Sequence, residues 1–377
     1  MSASVGKSGG SAAGTSDGGA DFTSALFLGQ HHPSSGFRPW TDFTTGVPAA
    51  LRELPEAALL AASISSRQQA GAGLVARSAL HGLMDVLQAL PRPGDLLLVD
   101  EGAYPLAQWA CRAAETRGVQ VVTYPHFRPP AVVRHTTTWV VTDGWCQGCG
   151  RPAPLAALRA LVGASGRVIV DDSLAFGVLG RRFGVDGFGA GGFGAGGYVA
   201  GGFGDGTGTA RWLGLDHGGL LWLGSLAKAY GTPVTVITGD DGTIGRLARH
   251  GGNRLHSSPP SAADLLAGLS ALRNPIILRL RARLYRLTQW LRQAFRDLGL
   301  PPLGLPFPLV GTPVASLQLA RRWRSGLAGR GLDVLVQLPR CRPGALLSAV
   351  VRADHQQADL DRLVRGLAVV TRDRQAA

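Results

Sequence analysis

Residues 220–231 read LLWLGSLAKAYG, a short apolar stretch followed by a lysine among small residues. Leu220–Leu223 has the length and apolar character of a buried strand, and Val234–Thr238 predicts the next strand. Lys228 therefore lies in a loop directly after a strand. The only other lysine is Lys7, although the chain has 38 lysine and arginine residues. Because a lysine amine can lose its proton and form an imine, whereas an arginine cannot, Lys228 is the first candidate for a chemical role.

Strands and helices alternate from about residue 74 onward. The further predicted strands are Leu96–Asp100, Val119–Thr123, Trp139–Thr142 and Val168–Asp171, and the predicted helices are Ala79–Leu90, Leu106–Thr116 and Pro154–Leu161. This pattern indicates an α/β fold with a mostly parallel sheet covered by helices. Ligands of such sheets bind beyond the carboxyl ends of the strands, where Asp100, Asp143 and Asp171 fall.

The pattern changes after the strands, and we predict two domains with flanking segments. A large domain is expected over 56–250 and a smaller C-terminal α+β domain over 251–377, after a disordered tail (1–20) and an N-terminal segment (21–55). The elements predicted for the small domain are a helix over Ile276–Leu298, strands over Ala315–Leu319, Asp333–Gln337 and Ala345–Val351, and a helix from Gln357 to about Val370.

A glycine-rich insert interrupts the large domain at residues 187–208, GFGAGGFGAGGYVAGGFGDGTG. Its repeated small residues predict a flexible segment. Gly187, Gly189 and Gly192 match the GxGxxG pattern of dinucleotide-binding loops, but any glycine tract produces such a match by chance. We therefore predict no dinucleotide site there.

The composition favours a globular protein, since 45% of the 377 residues are hydrophobic and 17% are charged. No apolar run reaches the roughly 18 residues of a membrane span, and no signal sequence precedes the fold, so a cytoplasmic protein without membrane contact is expected. The net charge of +13 comes almost entirely from arginine spread along the chain. Arg279, Arg281, Arg283 and Arg286 have the spacing of a solvated helix face, and no DNA-binding motif accompanies them. We predict no nucleic-acid partner.

Four cysteines occur, Cys111, Cys146, Cys149 and Cys341, which is too few for a disulfide framework in a chain of this length. The segment WCQGC resembles a thioredoxin-type CxxC pair. Two cysteines alone do not complete a zinc site, and the histidines, His126 among them, show no metal-ligand spacing. We predict an incidental or structural cysteine pair and no metal.

Four segments together point to a known family. They are Ala76–Leu80, Asp100–Tyr104, Asp171–Gly180 and Gly224–Gly231. In order and spacing they resemble the fold-type I pyridoxal-phosphate (PLP) enzymes of the class I/II aminotransferase family, specifically the α-oxoamine synthase branch that includes 8-amino-7-oxononanoate synthase. The similarity covers about residues 24–377 and includes LFLGQHHP near the start and LDRLVRGL after ADH near the end.

The resemblance implies a role for each matching residue. Lys228 would form the imine with the cofactor aldehyde and then move protons at the substrate Cα. Asp171 would keep the pyridine nitrogen protonated, and Tyr104 would cover one face of the ring, where the family has a histidine. The residues expected to bind the phosphate are Ser78, Ala79 and Ser225.

The sequence departs from the family pattern at two functional positions. Leu174 replaces the histidine of the motif D-x-[AS]-H. The arginine that binds the substrate carboxylate aligns near Leu346–Ser348, where the chain has none, so Arg342 and Arg352 are the neighbouring candidates.

The resemblance implies a homodimeric PLP-dependent transferase that condenses an amino acid with an acyl thioester of CoA or of an acyl-carrier protein. An acidic carrier or the CoA phosphates would suit the positive net charge. Two alternatives stay open at this point. The first is a PLP-dependent aminotransferase or decarboxylase, and the second is a catalytically reduced protein of the same fold that binds a partner.

Overall fold

The computed structural model describes residues 19–32, 54–131, 137–181 and 202–372. Most of the predicted tail and residues 187–201 of the glycine-rich insert lie outside these ranges. The last part of the insert, residues 202–208, is packed against the protein, and its Phe203 is buried and contacts the Tyr285 ring edge-on at 5.2 Å. These seven residues therefore do not have the exposed character expected of a linker.

The secondary structure comprises eleven helices and twelve strands in the described part of the chain. The helices are α1 (Pro55–Gln68), α2 (Ala79–Ala89), α3 (Pro105–Glu115), α4 (Leu155–Val162), α5 (Thr209–Trp212), α6 (Asp241–His250), α7 (Gly252–His256), α8 (Ala262–Arg273), α9 (Ile277–Asp297), α10 (Leu317–Ala328) and α11 (Gln357–Arg372). The strands are β1 (Ala20–Asp21), β2 (Ala72–Ala76), β3 (Leu96–Asp100), β4 (Gln120–Tyr124), β5 (Thr138–Asp143), β6 (Arg167–Asp171), β7 (Leu220–Ser225), β8 (Thr235–Gly239), β9 (Leu309–Val314), β10 (Leu332–Asp333), β11 (Leu335–Gln337) and β12 (Ala345–Val350).

The main sheet has seven strands in the order β2-β8-β7-β6-β5-β3-β4. Strands β7, β6, β5, β3 and β4 pair in parallel, and β8 runs antiparallel to both of its neighbours, β7 and β2. The predicted α/β class and mostly parallel sheet are confirmed. Each strand predicted in this region is present, with ends that differ from the prediction by at most two residues.

Both faces of the central strands of this sheet are buried, which explains their uninterrupted apolar sequences. In β6, Val168 and Val170 pack on the face that includes Ile64 of α1. Ile169 points to the opposite face, where it joins a second cluster that includes Leu83 of α2. Since alternate residues of a strand point to opposite faces, helices on both sides require apolar residues at every position.

A smaller antiparallel sheet has the strand order β11-β12-β9. The strand predicted at Ala315–Leu319 is wrong, because Ser316 caps α10 there and its Oγ accepts a hydrogen bond from Leu319 N at 3.1 Å. The strand precedes it, at Leu309–Val314. This strand contains Pro313, which an edge strand tolerates because one of its sides needs no backbone donors.

The N-terminal boundary and the arginine face also differ from the predictions. Ala20, expected in a disordered tail, pairs with Leu332 through β1 and β10. Arg281, expected on a solvated helix face, is 3% exposed and donates from Nε to the Gly177 carbonyl at 2.6 Å. Arg283 donates to the Ala353 carbonyl at 2.7 Å. The predicted division into two domains stays a prediction. No described helix is both long enough and apolar enough to cross a membrane.

We predict that a buried histidine makes the fold sensitive to acid. Burial lowers the pKa of His217 from 6.5 to about 4, and its Nε2 lies 2.8 Å from Thr238 Oγ1. The folded state therefore favours neutral His217, and its free energy of unfolding should fall as the pH drops through the window from 6.5 to 4, with a slope of up to about 1.4 kcal/mol per pH unit.

Urea unfolding of wild type and His217→Gln at several pH values measures this effect. The variant should lose stability less steeply across the window, whereas His250→Gln, at an exposed histidine, should follow wild type. Equal slopes for wild type and His217→Gln would contradict the assignment.

Candidate active site

A cavity of about 320 Å³ opens at the carboxyl ends of the parallel strands. The structure brings together five of the six residues predicted for the site, and these line the cavity: Ala79, Tyr104, Asp171, Ser225 and Lys228. The other lining residues are Leu106, Asp143, Trp145, Gln147, Ser173 and Leu174. Five separate segments of the chain thus meet at one edge of the sheet, which is where ligands of α/β sheets bind.

The loop between β7 and β8 positions Lys228. Leu226, Ala229 and Tyr230 are fully buried and anchor the loop, and Leu226 N donates to the Val234 carbonyl at 2.8 Å. Lys228 is half-buried at the cavity. Its Nζ forms no hydrogen bond or ion pair with any residue in the described ranges. Lys228 thus lines the cavity with an amine that has no protein partner among the described residues.

Asp171 ends β6 and lies opposite Asp143 of β5 in the parallel register. Its Oδ1 accepts a hydrogen bond from Ser173 N at 3.0 Å. Ser173 Oγ in turn accepts from Ser225 N at 3.1 Å, which joins the aspartate turn to the lysine loop. The carboxylate is held in the cavity wall by the backbone that follows it.

Asp172 has a different environment from its neighbour Asp171. It is fully buried, away from the cavity lining, and accepts hydrogen bonds from Thr209 N at 2.7 Å and Trp222 Nε1 at 2.9 Å. Burial raises the pKa of Asp172 to about 6, although these hydrogen bonds oppose the shift. Of the two adjacent aspartates, Asp171 alone lines the cavity.

Asp143 is a cavity residue that the family motifs did not single out. Both carboxylate oxygens accept from Tyr104 N, at 3.1 and 3.2 Å. Burial, followed by repulsion from the Asp171 carboxylate, raises the pKa of Asp143 well above its usual range. Asp143 thus fixes the backbone of Tyr104 and adds an acidic group to the wall. The sequence signal was its place at a strand end.

The beginning of α2 lies against the cavity. Ser78 caps this helix, with its Oγ accepting from His81 N at 3.4 Å and 2.8 Å from His81 Nδ1. Ala79, the first helical residue, lines the cavity, whereas Ser78 does not. Free backbone N–H groups at a helix N-terminus favour a bound anion. Ser225 adds a hydroxyl to the lining of the same cavity.

Tyr104 and Leu174 define the aromatic and apolar parts of the cavity wall. Tyr104 is 48% exposed and immediately precedes α3. Leu174 lines the cavity at the position where the family motif has a histidine. The cavity therefore gains apolar surface at this position and lacks an imidazole.

The two arginine candidates for a carboxylate differ in their contacts. Arg352 forms ion pairs with Asp21 and Asp354, each at 3.0 Å. Arg342 Nη1 is buried and has no hydrogen-bond partner in the described part of the chain. Of the two, Arg342 therefore retains an unused donor.

A cluster of cysteine and histidine side chains lies beside the cavity, and the sequence analysis missed it. The Sγ atoms of Cys146, Cys149 and Cys341 and a ring nitrogen of His126 all lie within 4.8 Å of one another. The premise that the two cysteines of WCQGC stand alone was wrong. No local spacing could reveal the cluster, because His126 and Cys341 come from other loops of the fold.

The aspartate turn and the lysine loop pack closely at one glycine. Gly177 has φ +84°, and a Cβ placed on it would lie 2.3 Å from Ala229 Cβ and 2.9 Å from the Tyr230 ring. Arg281 donates to the Gly177 carbonyl and, at 3.3 Å, to the Tyr230 hydroxyl. The position of Lys228 relative to Asp171 therefore depends on a residue without a side chain.

Comparisons with known proteins place this arrangement in a class. No family model matches the chain. Among solved structures, 8-amino-7-oxononanoate synthase from Francisella tularensis is similar with a TM-score of 0.73 and 15% identity, over 96% of this chain and 99% of that one. Serine palmitoyltransferase from Sphingomonas wittichii has a TM-score of 0.76 and 16% identity, over 95% and 88% of the two chains. The fold is that of the fold-type I PLP enzymes.

The relatives found by sequence indicate which branch of the PLP enzymes this chain resembles. A protein named putative 8-amino-7-oxononanoate synthase from Thermosynechococcus vestitus is 27% identical over 374 residues, which is 93% of this chain and 88% of that protein. The 8-amino-7-oxononanoate synthase of Halorhodospira halophila is 30% identical over 243 residues, which is 62% of this chain and 54% of the relative. The chain is similar to the α-oxoamine synthase branch, as its motifs indicated.

We predict that Gly177→Ala lowers the free energy of unfolding more than Gly94→Ala, a substitution at a glycine with nearly the same φ. Gly94 has φ +87°, and a Cβ added to it would meet nothing within 4 Å, so Gly94→Ala tests backbone strain alone. We expect it to lower the free energy of unfolding by about 1–2 kcal/mol. Gly177→Ala should lose about 1–3 kcal/mol more, because a methyl group there overlaps Ala229. Chemical denaturation measures both, and equal losses would contradict the close approach.

Proposed function

We propose that this protein is a PLP-dependent transferase whose active site is the cavity around Lys228. The observation that carries the proposal is the convergence of Lys228, Asp171, Tyr104, Ala79 and Ser225 on one cavity from four separate segments. The structural relatives include a serine palmitoyltransferase with a PLP internal aldimine, with a TM-score of 0.71 and 15% identity. We propose that this chain binds the same cofactor, PLP.

The residues of the cavity fit the chemical groups of PLP. Lys228 offers an amine for the aldehyde, and Asp171 offers a carboxylate for the pyridinium nitrogen. The first turn of α2, which reaches the cavity at Ala79, suits the phosphate together with Ser225, and Ser78 would support that turn by capping the helix. When bound, PLP supplies an electron sink for a carbanion at the substrate Cα.

The chain's own residues then have separate tasks in the proposed reaction. With the cofactor bound, the Lys228 amine would be the group that takes up and returns the Cα proton. Asp171 would hold the pyridine nitrogen through its carboxylate and offset the positive charge there. Tyr104 would cover one face of the ring, and Asp143 fixes Tyr104 by accepting a hydrogen bond from its backbone N–H. Leu174 keeps one wall apolar and offers no proton.

We propose the condensation of an amino acid with an acyl thioester as the reaction. The support is the naming of the sequence relatives as 8-amino-7-oxononanoate synthases and the similarity to serine palmitoyltransferases. Acyl-CoA or an acyl-carrier protein is the expected second substrate.

Arg342 is proposed to bind the amino-acid carboxylate. Arg342 directly follows Cys341, and the Sγ atoms of Cys341 and Cys146 lie within 4.8 Å of each other. Cys146 in turn lies between Trp145 and Gln147, which both line the cavity. Arg342 Nη1 is buried and has no hydrogen-bond partner among the described residues, whereas Arg352 forms ion pairs with the carboxylates of Asp21 and Asp354.

The homodimer and the cytoplasmic location stay predictions. Tyr104 and Trp109, 48% and 55% exposed, present aromatic surface on and just before α3. An exposed aromatic surface next to the cavity supports the proposal that a second copy of this chain packs against it.

The first prediction concerns the cofactor linkage. Protein reconstituted with PLP should show a visible absorbance band, and borohydride should abolish it and leave the reduced cofactor on the peptide that contains Lys228. Lys228→Ala should show neither, whereas Lys7→Ala, at the other lysine, should behave like wild type. Cofactor attached to another residue, or no band in wild type, would refute the site and favour a binding protein that inherited only the fold.

The second prediction concerns the carboxylate. Arg342→Gln should raise KM for the amino-acid substrate about 10- to 100-fold with little change in kcat, because one charged hydrogen-bonding group is lost from binding. Arg340→Gln is the matched control from the same loop, since Arg340 donates to the Glu101 carbonyl at 3.1 Å. Equal effects of the two substitutions would contradict the role of Arg342.

A further inference from the structure

Three loops of the fold bring the cysteine–histidine cluster together. His126 follows β4, Cys146 and Cys149 follow β5, and Cys341 lies between β11 and β12. Their four potential ligand atoms lie within 4.8 Å of one another. All four cysteines of the chain are free thiols, and Cys111 is the one outside the cluster. The cluster is separate from the PLP chemistry proposed above and belongs to none of its steps.

The distances suit a tetrahedral metal centre. Zinc–sulfur bonds of about 2.3 Å place two sulfur ligands about 3.8 Å apart. His126 Nε2 lies 3.4 Å from Cys149 Sγ, and the longest separation in the cluster is 4.8 Å or less. Small side-chain rotations would therefore close the four atoms around one ion. Three thiolates and one imidazole are a ligand set of structural zinc sites.

His126 is oriented for metal binding by a buried carboxylate. Its Nδ1 lies 2.8 Å from Asp100 Oδ1, and the two side chains are 6% and 0% exposed. Asp100 is itself fixed by hydrogen bonds from Gly102 N at 2.8 Å and Thr142 Oγ1 at 3.1 Å. A proton on Nδ1 donated to Asp100 leaves the Nε2 lone pair facing the cysteines. This carboxylate–histidine arrangement is the usual support of a metal-bound imidazole.

The WCQGC loop is shaped to present two sulfur atoms. Gly148 N and Cys149 N both point at Cys146 Sγ, at 3.3 and 3.5 Å, and such donors stabilise a thiolate. Gly150 has φ +64°, which turns the chain back so that Cys146 N donates to the Arg151 carbonyl at 2.9 Å.

A glycine in the same loop admits the third cysteine. A Cβ on Gly148 would lie 2.6 Å from Cys341 Sγ and 2.4 Å from Pro339 Cβ. The side chains of the β11–β12 loop therefore pack directly against the backbone of Gly148, which leaves no room for a side chain there. A disulfide between Cys146 and Cys149 would use two of the sulfur atoms and leave the orientation of His126 and Cys341 unexplained.

We propose that His126, Cys146, Cys149 and Cys341 bind one zinc ion in a closed Cys₃His site. With all four positions filled by protein ligands the ion would be structural, without an open position for water or substrate. It would tie the β11–β12 loop to the loops after β4 and β5. Since Trp145 and Gln147 flank Cys146 and line the cavity, the ion would also fix that wall of the proposed active site.

Metal analysis of the full-length protein tests the site. Protein purified under reducing conditions without chelators should contain about one zinc ion per chain. Replacement by Co²⁺ should give thiolate-to-cobalt charge-transfer absorbance and the visible bands of tetrahedral cobalt. Cys341→Ala should bind zinc at least about 100-fold more weakly, and Asp100→Asn, which keeps all four ligands and removes the carboxylate that supports His126, about 10- to 100-fold more weakly. Cys111→Ala is the matched control and should retain the full metal content.

The outcomes separate this site from the proposed function, because none of these measurements requires PLP or turnover. Trace zinc in wild type together with no cobalt charge-transfer band would overturn the site. A Cys146–Cys149 disulfide found by mass spectrometry in protein isolated anaerobically would overturn it in favour of a redox pair. Equal metal loss in Cys111→Ala and Cys341→Ala would also overturn it. If Cys341→Ala does not fold, the wild-type protein alone tests the site. Its zinc content and the intensity of its cobalt charge-transfer band, which reports the number of thiolate ligands, then confirm or overturn the proposal.

Discussion

The parallel register of β5, β6 and β7 is the constraint on which the rest of the site depends. Asp143 pairs with Asp171, and Asp171 pairs with Leu223, two residues before Ser225. Because parallel strands end at the same edge, this register brings two carboxylates and the beginning of the lysine loop together. Two acids so close repel each other, and the raised pKa of Asp143 reflects burial together with that repulsion.

Close backbone packing converts this register into a rigid site. Gly177 allows the aspartate turn to reach Ala229 in the lysine loop. Buried Arg281 then bridges the two segments through the Gly177 carbonyl and the Tyr230 hydroxyl. A buried guanidinium needs such acceptors, because an unpaired charge in the interior is strongly unfavourable. The long helix α9 therefore contributes to the site through one inward-facing arginine.

The cysteine–histidine cluster joins loops of the two sheets beside the same cavity, where Trp145 and Gln147 flank Cys146. Asp100, which the strand pattern grouped with the cavity aspartates, instead lies in the interior and binds His126. The proposed zinc site would thus use one strand-end aspartate as a support, while Asp171 and Asp143 face the cavity. Strands of one sheet can serve two sites because their ends diverge into loops with different partners.

The sequence by itself determined the α/β class, the order of the main strands and the family resemblance, because apolar runs and local motifs are short-range properties. The motifs of the sequence singled out Lys228, Asp171, Tyr104, Ala79 and Ser225, and these five residues line one cavity, while their roles stay a prediction. The sequence pattern missed the β9 strand, since Pro313 indicates a loop unless the strand is known to lie at an edge. It also assigned Arg281 to solvent, because helical spacing does not show which face packs. Only the tertiary structure joined His126 and Cys341 to the WCQGC pair, since contacts between distant loops depend on how the strands assemble and leave no periodic or local signal in the chain.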